Sequence, residues 1–213
     1  MRLEIIDAGT LDYEEALCLQ KERQTQRITG SVSDALILLE HPPVITLGRR
    51  AKLTDVLIPF GLTSREGIKT LRTDRGGEVT YHGPGQLVGY LICCLDVTEG
   101  SIKRFVHSIE EALILSLASG WGITAGRKEE YRGVWVGDEK IAALGLSVSR
   151  RVTMHGFALN VTTNLDHFSW IVPCGIRTGA VTSLQKILGK TVPMSDVKNR
   201  IAEDFKKVFG YDL

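Results

Sequence analysis

The chain has no surplus of charge of either sign: 26 lysines and arginines stand against 25 aspartates and glutamates. Nucleic-acid binding rests on a basic excess, so a dedicated nucleic-acid partner is not expected, and any electrostatic docking has to come from a local patch. Long hydrophobic runs are missing as well. Stretches such as Leu87 to Leu95 are far shorter than the roughly 20 residues that cross a bilayer, and the opening Met1-Arg2-Leu3-Glu4-Ile5-Ile6-Asp7 is broken by charge too early for a secretory leader. No membrane association and a cytoplasmic address are the expectations. The four cysteines, Cys18, Cys93, Cys94 and Cys174, form no C-x-x-C pair, which argues against a zinc site. In a reducing compartment they are expected as free thiols. There is no G-x-x-x-x-G-K-[ST] phosphate loop and no G-x-G-x-x-G after a strand. Nor is there an internal repeat, a low-complexity tract or a linker.

What is present is 213 residues with 43% apolar and 24% charged side chains, ordinary values for a globular chain. One domain over residues 1–213 is expected, with 180–213 able to pack as a small helical lobe. Thr10 or Asp12 caps a helix running to about Arg27 and stopping near Gly30. Ala35 to Glu40 and Leu87 to Leu95 read as strands buried on both faces, and Val44 to Leu47 as a short strand. Residues 51–70 read as a loop-rich stretch with weak helical content. Ser101 caps an amphipathic helix with Phe105, Ile109, Leu113 and Leu117 on one face, ended by Gly120. From Gly133 to Val161 the pattern is an antiparallel meander with a turn at Ser149-Arg150-Arg151. The tail carries helices near 183–188 and 195–209, the second capped by Ser195. Helices and strands mix without regular βαβ units. The fold class is therefore α/β of the α+β kind, a mixed, largely antiparallel sheet flanked by helices.

Three segments carry candidate chemistry. Arg75-Gly76-Gly77-Glu78-Val79-Thr80-Tyr81-His82-Gly83-Pro84-Gly85-Gln86 is dense in glycine, so a ligand can approach its backbone closely; an unliganded hairpin fits the same residues. Pro84 and Gly85 suit the two central positions of a type II turn. Lys140, after the turn Gly137-Asp138-Glu139, is either a solvated side chain or a buried amine with a task. Cys174, in Val172-Pro173-Cys174-Gly175, is the thiol with a turn-like context, whereas Cys93 and Cys94 sit in an apolar run and Cys18 in a helix. Val79, Leu144, Leu146 and Phe157 alternate with polar neighbours and are either ordinary core or the lining of an apolar slot. Arg49-Arg50-Ala51-Lys52 and Arg150-Arg151 are basic clusters that suit an acidic partner or simply solvated turns.

The glycine block followed by Leu87-Val88-Gly89-Tyr90 resembles the signature of the lipoyl(octanoyl) transferase family of lipoate biosynthesis. So do Glu40-His41-Pro42-Pro43 with Thr46-Leu47-Gly48, Lys140-Ile141-Ala142-Ala143-Leu144-Gly145, His155-Gly156-Phe157-Ala158-Leu159-Asn160, and Pro173-Cys174-Gly175-Ile176 with Val181-Thr182-Ser183. These motifs stand in the family's order over most of residues 10–185. Leu91 replaces a proline common after the tyrosine, and Thr178 an aspartate common after the cysteine. The resemblance implies a fold like the lipoate and biotin protein ligase catalytic domains. It implies octanoyl transfer from acyl carrier protein to a lysine of lipoyl domains, in 2-oxoacid dehydrogenase E2 subunits and the glycine cleavage H protein, with no cofactor. It also implies Cys174 and Lys140 as catalytic residues. Around the acyl group it places Arg75, Gly76, Gly77, Glu78, Val79, Thr80, Tyr81 and His82, with Ala143, Leu144, Gly145, Gly156, Phe157 and Ala158.

That chemistry is self-consistent. A thioester donor is already activated and needs no nucleotide. A thiol exchanges with it at little net free-energy change, and an amine then takes the acyl group downhill to an amide. A nearby ammonium favours the thiolate form of a cysteine. Burying about six methylenes at about 0.8 kcal/mol each supplies at most roughly 5 kcal/mol for chain binding. His82 is a further candidate proton carrier, and His155, Tyr81 and Asn160 are candidate supports. The alternatives are an ATP-dependent lipoate ligase, which needs no nucleophilic thiol, an amidotransferase between lipoyl domains, which does, and a non-catalytic docking module.

Overall fold

The computed structural model describes residues 2–58, 68–172 and 181–212. A six-stranded sheet runs in the spatial order β1 (Leu3–Thr10), β2 (Asp34–Glu40), β6 (Gln86–Ile92), β9 (Val152–Asn160), β8 (Glu139–Ser149), β7 (Val134–Val136). The β1–β2 pair is parallel and every other pair is antiparallel. A three-stranded sheet, β4 (Lys69–Arg72), β3 (Val44–Leu47), β5 (Val79–His82), is parallel at β3–β4 and antiparallel at β3–β5. The mixed, largely antiparallel architecture is the one the sequence predicts.

The continuous apolar run of β2 has its cause in cover on both sides. Leu36 and Leu38 face one core, with Phe105, Ile109, Leu113 and Leu117 of α2 (Ile102–Trp121), Leu184 of α3 (Leu184–Leu188) and Phe205 and Phe209 of α4 (Met194–Phe209). Ile37 and Leu39, one residue out of phase, face a second core with Val88, Tyr90, Met154, Ala158 and Ala16 of α1 (Tyr13–Ile28). A third core, Ile45, Leu47, Val79, Tyr81 and Ile171, belongs to the small sheet.

Helix ends follow capping chemistry, with two corrections. Asp12 accepts from the Glu14 N–H at 3.1 Å while the Glu15 carboxylate accepts from the Asp12 N–H at 3.3 Å, a reciprocal cap. Ser101 caps α2 as expected, but α2 passes through Gly120 and ends at Gly122, which holds φ +65°. Gly120 is a packing glycine: a Cβ there would stand 3.3 Å from Arg200 Cγ on α4. Ser195 lies inside α4, and the residue before the helix is Pro193, whose φ of −59° presets the entry. The weak helical content expected in the loop-rich stretch 51–70 is a three-residue 3-10 turn, Leu53–Asp55, but its end is strand β4, which the sequence does not suggest. That strand's residues are largely exposed, so it offers no apolar face for a sequence pattern to reveal.

Candidate active site

The Pro84–Gly85 turn forms as the sequence requires, with Gly85 at φ +80° and the Gln86 N–H donating to the Gly83 carbonyl at 3.1 Å. It does not close a hairpin. β5 before it pairs with β3, and β6 after it pairs with β2 and β9, so the turn passes the chain from the small sheet to the large one. The Gly85 N–H donates to the Glu40 carboxylate at 2.7 Å.

Between the two sheets lies a cavity of about 820 Å³, the space at its open mouth included. Its lining contains Arg75, Gly77, Glu78, Val79, Thr80 and His82 from the glycine block. Ala143, Leu144 and Gly145 of β8 and Gly156, Phe157 and Ala158 of β9 line it too, together with Lys140. Gly76 and Tyr81 do not line it. Tyr81 lies on the face of β5 opposite Thr80 and His82, where its hydroxyl is 2.7 Å from His167 Nδ1. Leu146, a candidate for an apolar slot, packs instead on the core under α2 and α4. Five residues of strand at about 3.4 Å each put roughly 17 Å between Lys140 and Gly145, more than an extended eight-carbon acyl chain requires.

Close backbone packing shapes the wall. The Gly76 N–H donates to the Leu146 carbonyl at 2.8 Å, and a Cβ on Gly145 would fall 2.7 Å from the Gly76 oxygen, so the loop rests directly on β8. Arg75 secures that loop from within. It is 7% exposed, and its guanidinium donates to the carbonyls of Thr46 and Glu78, both at 2.7 Å, and of Gly76 at 3.1 Å. Most of a cation's donor capacity is thereby engaged with the chain's own backbone.

At the wall of the cavity sits a cluster of buried imidazoles and phenols. His41 Nδ1 donates to the Leu11 carbonyl at 2.7 Å, which leaves Nε2 to accept from the Tyr90 hydroxyl at 2.7 Å. His82 Nδ1 donates to Gln86 Oε1 at 2.8 Å, because Gln86 Nε2 is committed to Asn160 Oδ1 at 2.9 Å. His82 Nε2 is then the acceptor nitrogen of a ring that lines the cavity. His155 donates from Nε2 to Asp74 at 2.8 Å, holds φ +61° within β9, and has a buried Nδ1 with no hydrogen-bond partner among the described residues. Burial holds His82 well below the ordinary imidazole value, with repulsion from His41 and Arg75 adding to it, and burial lowers His41 and His155 as well. In the unfolded chain these rings bind protons below about pH 6.5. The folded chain resists, so their stability contribution is complete above that pH and is lost as pH falls toward the folded values. The melting temperature is expected to drop between about pH 7 and pH 5, and to drop less in His82→Gln.

Lys140 stands near the start of β8. Its carbonyl accepts from the Thr182 N–H at 3.0 Å, and it forms a parallel bridge with Val181, which also lines the cavity. The Thr182 carbonyl in turn accepts from Asn160 Nδ2 at 3.0 Å. Upstream, the Val172 N–H donates to the Asp55 carbonyl at 2.8 Å. Cys174 lies between these two anchors, outside the described residues. Cys93 is buried, which pushes its thiol up and away from reactivity. Sequence reasoning missed Tyr13, Val88, Tyr90, Trp135 and Phe168 in the lining. Trp135 had a signal in the strand register, since it pairs with Lys140 across β7 and β8.

The model of the lipoyl protein ligase A/B catalytic domain matches residues 12–206. The octanoyltransferase of Caldicellulosiruptor saccharolyticus is 49% identical over 211 residues, 99% of this chain and 90% of that one. The octanoyltransferase of Alkaliphilus metalliredigens is 47% identical over 213 residues, 100% and 98% of the two chains. This chain belongs to the octanoyltransferase family. The same fold occurs in a bipartite lipoate protein ligase from Thermoplasma acidophilum, with TM-score 0.77, 19% identity and coverage of 100% and 86%. The biotin protein ligase of Aquifex aeolicus, solved with biotin and ATP, is more distant, with TM-score 0.57, 14% identity and coverage of 98% and 72%. No helix among the described residues is long and apolar enough to cross a membrane.

Proposed function

We propose that this enzyme moves octanoyl from an acyl carrier protein to a lipoyl-domain lysine in the cytoplasm, through a thioester on Cys174 with Lys140 as the partner base and acid. The Cys174 thiolate attacks the donor carbonyl, and the carrier thiolate leaves and takes a proton from the Lys140 ammonium. The acceptor amine, arriving neutral, attacks the Cys174 thioester. Its proton passes to Lys140 while Cys174 departs as thiolate, and both groups return to their starting states. The observation that carries this reading is Lys140 at one end of a cavity lined by the predicted acyl-binding segments, bridged to Val181, where the segment bearing Cys174 ends. Purified enzyme with octanoyl carrier protein and a lipoyl domain is expected to form the octanoyl amide without nucleotide. Dependence on ATP would overturn the reading in favour of a ligase.

The slot predicts chain selectivity. Ala158 is buried at the cavity wall, opposite Ala143 and Val88 in the sheet. Ala158→Leu is expected to lower kcat/KM for octanoyl by about 10- to 100-fold and for butanoyl far less, read by comparing the two donors. Charge favours one of the two basic clusters for the carrier. Arg151 is ion-paired with Asp96, whereas Arg49 and Arg50 are exposed and form no ion pair among the described residues. Their N–H groups donate to the carbonyls of Arg75 and Gly77, both at 3.0 Å, which fixes this basic loop to the cavity wall. Arg49→Glu with Arg50→Glu is expected to raise KM for the carrier-bound donor about 10-fold. It should leave kcat and the use of a small octanoyl thioester nearly unchanged.

A further inference from the structure

Lys140 is a long, flexible side chain asked to hold its nitrogen in one place, and the fold supplies a holder. Trp135, its cross-strand partner on β7, is 4% exposed and lines the cavity. Its backbone exchanges two hydrogen bonds with Gly126, at 2.8 and 2.9 Å, and its indole N–H donates to the Tyr131 carbonyl at 3.2 Å. The ring therefore has little freedom. Lys140 Nζ lies 4.9 Å from its centroid, inside the range of cation–π attraction. The aliphatic stem is confined as well. Gly133 holds φ +133°, and a Cβ there would stand 3.2 Å from Lys140 Cε and 2.6 Å from the Ala142 carbonyl oxygen. A second ammonium, Lys128 Nζ, lies 4.6 Å from the same ring and is neutralised by Asp138 at 2.6 Å.

We infer that Trp135 is the positioning residue for Lys140, its indole face fixing the ammonium beside the reacting thioester while Gly133 leaves the passage for the stem. This rests on the role of Lys140 proposed above. Trp135 does not touch the reacting atoms; it acts through the amine.

The test keeps the shape of the side chain and changes only its quadrupole. Mono-, di- and trifluorotryptophan are placed at position 135 by site-specific incorporation. Single-turnover acylation by octanoyl carrier protein is then followed in the otherwise unaltered chain and in Lys140→Ala. The expected result is a stepwise fall in acylation rate to about one tenth, with donor KM unchanged, and no dependence on fluorine count in Lys140→Ala. Trp135→Phe is expected to retain most of the rate and Trp135→Leu to lose it to the same extent as trifluorination. A flat response in the chain with Lys140, or an equal response in Lys140→Ala, would overturn the inference alone. Failure of the unsubstituted enzyme to acquire an octanoyl group would overturn the mechanism beneath it.

Discussion

Cys174→Ala is expected to lower octanoyl transfer by about 10⁴-fold or more, with the melting temperature changed little. The donor is a thioester and the product an amide, so no energy input is lacking; what the variant loses is the route. Without a nucleophile on the enzyme, two proteins have to meet with their reacting groups aligned at once, whereas the proposed thioacyl intermediate would let them arrive in turn. Removal of an enzyme nucleophile typically costs between about 10⁴ and 10⁶ in kcat. Cys174→Ser is expected to rescue little, because a hydroxyl is far harder to ionise than a thiol and the one ammonium proposed beside it would not close that difference. Steady-state transfer assays with carrier-bound donor and lipoyl-domain acceptor read both values.

Lys140→Ala is expected to lower both half-reactions, the overall rate falling by about 10²- to 10³-fold. In the proposed first half-reaction the ammonium would stabilise the attacking thiolate and protonate the departing one; in the second the neutral amine would receive the proton of the acceptor. General acid–base assistance of this kind contributes roughly 10²- to 10⁴-fold per step. Lys140→Arg keeps the positive charge but not the capacity to give up a proton near neutrality. It is expected to recover acylation of Cys174 more than transfer from it. Rapid-quench measurement of the two steps separates these contributions. Equal recovery in both would remove Lys140 from the proton path and leave it an electrostatic role.

Much of this was legible from residue order because the strong signals are local. The twofold burial of Ala35 to Glu40, the cap at Asp12 and the turn at Pro84–Gly85 are each dictated by a few neighbouring residues. The misreadings have a common cause, which is that the deciding partner is distant in sequence. Gly120 looks like a helix stop until Arg200 of α4 is packed over it. Val79–His82 reads as one arm of a hairpin until β3 claims it. Lys140 stands out by its motif, but the aromatic ring against it follows only from the register of β7 and β8.

The proposed route passes through a covalent species. Enzyme mixed with octanoyl carrier protein, in the absence of acceptor and nucleotide, is predicted to show by intact-mass spectrometry a chain heavier by one octanoyl group. Peptide mapping should place that group on Cys174, and addition of a lipoyl domain should discharge it. An unmodified chain that nonetheless transfers octanoyl to the acceptor, or an adduct on another residue that survives in Cys174→Ala, would contradict the mechanism.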